Sequence, residues 1–219
     1  MCGLEAIVGI ALAGDLMQNN SRASATGGAG RHRRYARAMD MNMRSDASPS
    51  AYDRGTIVLH WLTAALVLAL WIAGQTIDYF PKGTPRVTAR SLHITFGVLL
   101  ALVVAWRISW RLRGGVHLPL SDPGVAGAAA VVVHRVLYGL VIAVVVLGMA
   151  SVWVRGDTLF NWFTVKAFAT ANRDLREQVV DIHGLGANIL LAIAALHGAA
   201  AIWHHVVRKD GVLRRMWPR

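Results

Sequence analysis

The sequence predicts an all-α integral membrane protein, a four-helix bundle, and three observations lead there. Of the 219 residues, 55% are hydrophobic and only 16% charged, whereas a soluble domain carries about a quarter charged residues. Four apolar blocks each supply the roughly 20 residues that a helix needs to cross a hydrocarbon core of about 30 Å. None of the blocks shows the alternating polarity that a membrane β-barrel requires.

Residues 1–50 stand apart from the rest. LEAIVGIALAG near the start is too short to span a bilayer and lacks the preceding basic region and A-x-A site of a secretory signal. It is followed by QNNSRASATGGAG, the basic cluster RHRRYAR (31–37) with His32, and MDMNMRSDASPS. Such small, polar, glycine-rich composition buries too little surface to offset its ordering entropy. The expectation is a disordered extension, one that translation from Met41 or Met43 would omit. Cys2 is the only cysteine, which excludes an internal disulfide, a thiolate metal cluster and a CxxC redox pair.

The domain proper is expected over 51–219, with helices at about 54–74, 91–111, 127–154 and 182–208. Their apolar centres are TIVLHWLTAALVLALWIAG, SLHITFGVLLALVVAWRISW, GAAAVVVHRVLYGLVIAVVVLGMASVWV and DIHGLGANILLAIAALHGAAAIWHH. The first two connections, DYFPKGTPRVTAR and RLRGGVHLPLSDPG, are short. The third is longer and carries Trp162 and Phe163, aromatic rings suited to the membrane interface.

The formal net charge of +11 arises from 23 Lys and Arg against 12 Asp and Glu. In a soluble protein that excess would suggest nucleic acid. Here the cations flank apolar runs, where they act as topology and headgroup anchors, so no nucleic-acid partner is expected. Ten of them fall on the side of the chain's C-terminus, sixteen with the N-terminal arginines, against seven on the opposite side. The positive-inside rule then puts both termini of this multi-pass membrane protein in the cytoplasm.

Nine histidines carry the functional signal. An imidazole in hydrocarbon is costly unless something binds it. His183 and His197 are fourteen residues apart, a rise of about 21 Å and a rotation about 40° short of four turns, so they project from nearly one helix face. With alternating helices, His93 falls level with His183 near the outer surface, and His60 level with His197 near the inner one. Two imidazole pairs inside one bundle are the usual means of holding b-type haem, whose iron takes two axial nitrogens about 4 Å apart. Gly97, Gly184, Gly186 and Gly198 leave room for a flat macrocycle beside these histidines. A transported metal ion would instead gather its ligands around one point and recruit carboxylates or thiolates, which none of the spans holds at depth.

Depth alone lets His134 compete with His60 as the partner of His197. His204, seven residues beyond His197 on the same face, suits a contact to a haem propionate or a quinone carbonyl, and Trp203 could line the same quinone slot. His205, His117 and His32 read as surface residues. Arg90, Lys166, Arg173 and Arg176 lie on the outer side, where positive charge could steer a small anion.

The chain from about Ala51 to Arg219 resembles the bacterial cytochrome b561 family. The resemblance rests on LHW (59–61), LHITFG (92–97), HRVLYGL (134–140), IHGLGANI (182–189), LHGAAAIWHH (196–205) and KDGVLRRMWP (209–218). It implies a four-helix dihaem inner-membrane cytochrome with His60 and His197 ligating one haem, His93 and His183 the other, and His134 not a ligand. It also implies electron exchange with ubiquinone and, as in some members, superoxide as the periplasmic donor. The alternative is a haem-b membrane anchor and relay subunit of a dehydrogenase or hydrogenase complex; the short cytoplasmic loop and the four-helix span favour the stand-alone oxidoreductase.

Overall fold

The computed structural model describes residues 51–116, 118, 124–167 and 172–217. The expected N-terminal extension, with His32, and the surface histidine His117 lie outside the described residues. Within them the chain is a bundle of four helices, α1 (Arg54–Thr76), α2 (Thr84–Arg113), α3 (Val125–Arg155) and α4 (Arg173–Trp203), each long and apolar enough to cross a membrane.

Each helix begins and ends on identifiable chemistry. Asp53 caps α1: its carboxylate accepts from the Thr56 amide at 2.9 Å and the Thr56 hydroxyl at 2.7 Å. A 3₁₀ turn, Ile77–Tyr79, ends that helix ahead of Pro81. The second helix starts at Thr84, seven residues ahead of its apolar block, with Pro85 in its first turn. Gly156 terminates α3 in the left-handed region at φ 69°, where glycine carries no Cβ penalty. In α4, Asn172 caps the first turn by accepting from the Leu175 amide at 3.0 Å, so that helix begins nine residues before the apolar run expected from 182. Both polar lead-ins, TPRVTAR and NRDLREQ, extend their helices out of the hydrocarbon. Beyond Trp203 the chain makes a π-helical turn, His204–Arg208, closed by Lys209 at φ 53°.

The four helices run alternately up and down, and two structured segments mark the two sides. On one, a β-hairpin of β1 (Thr158–Leu159) and β2 (Phe163–Thr164) follows α3. Ser91, fully buried, holds the hairpin to α2: its hydroxyl accepts from the Phe160 amide at 2.8 Å and donates to the Val87 carbonyl at 2.7 Å. Trp162 is 94% exposed at the hairpin's tip, beside the exposed Phe163. On the other side, residues 209–217 form a strap across the start of α1. The Tyr52 amide donates to the Arg215 carbonyl at 3.1 Å, and Trp61 Nε1 donates to the Met216 carbonyl at 2.8 Å.

The bundle is tightest within the pairs α1–α2 and α3–α4. Its buried core is aliphatic: Leu66 and Leu70 from α1, Leu100, Val103 and Val104 from α2, Val141 and Val144 from α3, and Leu190 from α4. Many other large apolar side chains are exposed, the pattern of a bundle whose outer surface meets lipid tails.

Candidate functional site

Positions fourteen residues apart on each helix form two levels, separated by a rise of about 21 Å. The hairpin level holds Gly74, His93, Gly148 and His183; the strap level holds His60, Arg107, His134 and His197. The aliphatic core lies between them.

At the hairpin level the rings of His93 and His183 face one another with centroids 6.3 Å apart and planes at 85°. The Val144 carbonyl lies 3.0 Å from His183 Nδ1. A carbonyl only accepts, so Nδ1 carries the proton and Nε2 presents its lone pair, the arrangement of a metal-ligating imidazole. His93 Nδ1 is covered and lies near the Leu70 backbone without a hydrogen bond of ordinary geometry. A cavity of about 280 Å³ opens between the two rings and reaches all four helices. Glycines shape it: a Cβ at Gly74 would come within 3.3 Å of His93 Cε1, and one at Gly148 within 3.0 Å of His183 Cε1. At Gly97 and Gly184 a Cβ would meet nothing within 4 Å.

The mouth of the cavity is polar. Asp157, 8% exposed, lies 3.5 Å from Arg90 and 3.4 Å from Arg155, and all three line the cavity. Burial pushes the Asp157 carboxyl above the ordinary carboxylate range, and the Arg155 and Arg90 guanidiniums only partly pull it back. Deeper along the α1–α4 seam, Asn188 Oδ1 accepts from Trp71 Nε1 at 2.8 Å and from Gln75 Nε2 at 3.3 Å.

The strap level brings together His60, Arg107, His134 and His197. His60 and His197 have centroids 6.5 Å apart, while His134 lies only 4.9 Å from His197. Arg107 NH2 donates to His60 Nδ1 at 3.0 Å, and its guanidinium stacks 5.0 Å from the Tyr138 ring centre. His134 Nδ1 donates to the Ala130 carbonyl of its own helix at 2.6 Å. His204 donates to Asp210 of the strap, and that hydrogen bond holds the Asp210 carboxyl below its ordinary range. Trp203 is 59% exposed. Among the cations on the hairpin side, Arg90 faces Asp157, Arg173 is bonded to Glu177 at 2.7 Å, and Lys166 is exposed.

Two axial nitrogens about 4 Å apart, plus about 1 Å from each nitrogen to its ring centre, put bis-imidazole centroids about 6 Å apart. The His93–His183 and His60–His197 separations meet that requirement, and His134–His197 falls short of it. The hairpin level adds a preset tautomer, a glycine-walled cavity and cations at its mouth. At the strap level the spacing fits while Arg107 engages the ring of His60. Sequence reasoning missed Gly74, Gly148, Arg107, Arg155 and Asp157, although the fourteen-residue interval noticed on α4 recurs on the other three helices.

The family model for prokaryotic cytochrome b561 matches residues 51–219. Cytochrome b561 homolog 1 of Escherichia coli (strain K12) is 30% identical over 177 residues, 77% of this chain and 97% of the relative. The probable superoxide oxidase CybB of Yersinia pestis is 31% identical over 166 residues, 74% of this chain and 93% of the relative. Cytochrome b562 of Cereibacter sphaeroides is 29% identical over 170 residues, 75% of this chain and 94% of the relative. Four membrane-length helices with imidazoles facing one another at depth agree with these likenesses, and the chain belongs to the prokaryotic cytochrome b561 family, b-haem oxidoreductases that carry electrons in the bacterial inner membrane.

Proposed function

We propose that the chain holds two b haems, one between His93 and His183 and one between His60 and His197, and carries electrons across the bilayer from periplasmic superoxide to ubiquinone. The observation that carries this reading is the pair of imidazole separations, 6.3 and 6.5 Å, at two levels of one bundle. Each haem iron, when bound, supplies a one-electron ferric–ferrous couple. The residues fix and orient it, and the aliphatic core from Leu66 to Leu190 keeps water out of the path between the levels.

The likeness to a probable superoxide oxidase supports superoxide as donor, and the cationic outer residues Arg90, Arg155 and Lys166 suit a small anion. Two superoxide ions give two dioxygen molecules and two electrons; with two protons these reduce one ubiquinone to ubiquinol. The excess of basic residues on the strap side favours both termini in the cytoplasm and the hairpin in the periplasm. His204 and Trp203, on the strap side, are the candidate quinone contacts.

The test is optical. Purified haem-loaded protein exposed to a superoxide generator should develop the ferrous α band, and added soluble ubiquinone should discharge it. A protein reduced by dithionite but untouched by superoxide would exclude that donor.

A further inference from the structure

Among the described residues Asp157 is the one buried carboxylate, and it sits at the mouth of the hairpin-level cavity. It faces one guanidinium from the start of α2 and one from the end of α3, at 3.5 and 3.4 Å. Neither contact is a close bidentate fork. Each arginine side chain therefore keeps N–H donors for another acceptor, and both remain about a quarter exposed while lining the cavity. Asp157 is also anchored through its backbone, because its carbonyl accepts from the Val165 amide at 3.0 Å. Ser91, next to Arg90, pins the hairpin at Phe160. The same few residues thus hold the hairpin down and aim two cations at the cavity mouth.

A b haem has an apolar ring edge and two carboxylates. A cavity with imidazoles in its depth and paired guanidiniums at its mouth matches that division. We propose that Arg90 and Arg155 clamp the two carboxylates of the hairpin-level haem, and that Asp157 is the positioning residue that holds both guanidiniums in place. This rests on the assignment of a haem to His93 and His183. Asp78 lines the same mouth and is paired at 3.5 Å with Arg86, which lies outside the lining, so the lining itself holds two acidic residues, Asp78 and Asp157, and two basic ones, Arg90 and Arg155.

The experiment uses the full chain, haem-loaded and purified in detergent, with haem stoichiometry and an optical redox titration as readouts. Asp157→Asn removes a negative charge and should favour the ferrous form of one haem about tenfold at fixed ambient potential, a rise of about 59 mV for a one-electron couple. Asp157→Glu should return the potential toward the unsubstituted value, which mere disruption of the loop would not do. Arg90→Gln and Arg155→Gln should shift the same haem the other way and speed its transfer to apomyoglobin. Asp174→Asn, the same charge change on the same side outside the cluster, should leave the titration unmoved. The shift should persist in a His197→Ala background and vanish with His183→Ala. Two haems present with Asp157→Asn indistinguishable from Asp174→Asn would overturn the clamp. Unsubstituted protein with no haem lost on His183→Ala would overturn the haem assignment beneath it. If the arginine variants do not accumulate, the Asn and Glu variants at 157 decide the matter alone.

Discussion

The two histidine levels have nearly the same ring separation and differ in the residues that face the imidazoles. Position for position, α1 offers Gly74 at the hairpin level and His60 at the strap level; α2 offers His93 and Arg107; α3 offers Gly148 and His134; α4 offers His183 and His197. Where glycines oppose the imidazoles, the space between the helices is an open cavity with one tautomer already set. Where histidine and arginine oppose them, a third imidazole lies 4.9 Å from the ring of His197 and a guanidinium donates to a ring nitrogen of His60. The spacing is alike at both levels, so what sets them apart is the residues that face the imidazoles, glycines at one and a histidine and an arginine at the other.

The strongest way to break this comparison is to remove the imidazoles. His93→Ala or His183→Ala should halve the haem content, and His60→Ala or His197→Ala should do the same from the other level, as measured by pyridine haemochromogen per mole of protein. Retention of both haems would sink the pairing. Next comes filling the cavity. Gly148→Leu, whose Cβ alone would stand 3.0 Å from His183 Cε1, should displace that ring and cost most of the hairpin-level haem while sparing the other.

Smaller effects sharpen the contrast. Arg107→Gln removes the cation beside His60 and should disfavour the ferrous form of the strap-level haem by up to about tenfold, or about 59 mV, with haem content unchanged. An unaltered titration would show that the guanidinium has no electrostatic influence there. Asp53→Ala removes the α1 cap and should lower stability by about 1 kcal/mol, followed as thermal loss of haem absorbance. Burial pushes the Asp53 carboxyl up, but its hydrogen bonds from Thr56, Trp110 and Val116 outweigh that and hold it well below the ordinary range. Its contribution is therefore complete above the unfolded carboxylate pKa of about 3.9 and fades as pH falls further. The gap between Asp53→Ala and the unsubstituted chain should narrow in that acid range; a constant gap would refute the linkage. The smallest effect is expected at His134. Its 4.9 Å approach to His197 is too short to span an iron, so His134→Ala should leave haem content intact.

The spans were legible because hydrocarbon-length apolar blocks leave a chain few alternatives. The face shared by His183 and His197 was legible because helical periodicity is local. What stayed hidden depends on packing between helices. Depth could not choose between His60 and His134 as the neighbour of His197, and their separations from it, 6.5 and 4.9 Å, depend on packing that the sequence does not carry. Polar helix starts such as TPRVTAR carry no apolar signal, so α2 and α4 extend beyond their blocks. Asp157 lies in a loop without periodicity, and only the fold brings Arg90, 67 residues earlier in the chain, to its side. Gly74 and Gly148 are unremarkable in sequence until the imidazoles opposite them are located.

The strap has a consequence for how the protein is made. Trp61 and Tyr52 are among the first residues of the bundle to leave the ribosome, and their partners, the carbonyls of Met216 and Arg215, are among the last. The contact that locks α1 on that side forms only after all four spans have been synthesised. Until then the first helix lacks that latch, and closure of the bundle on this side waits for the fourth span.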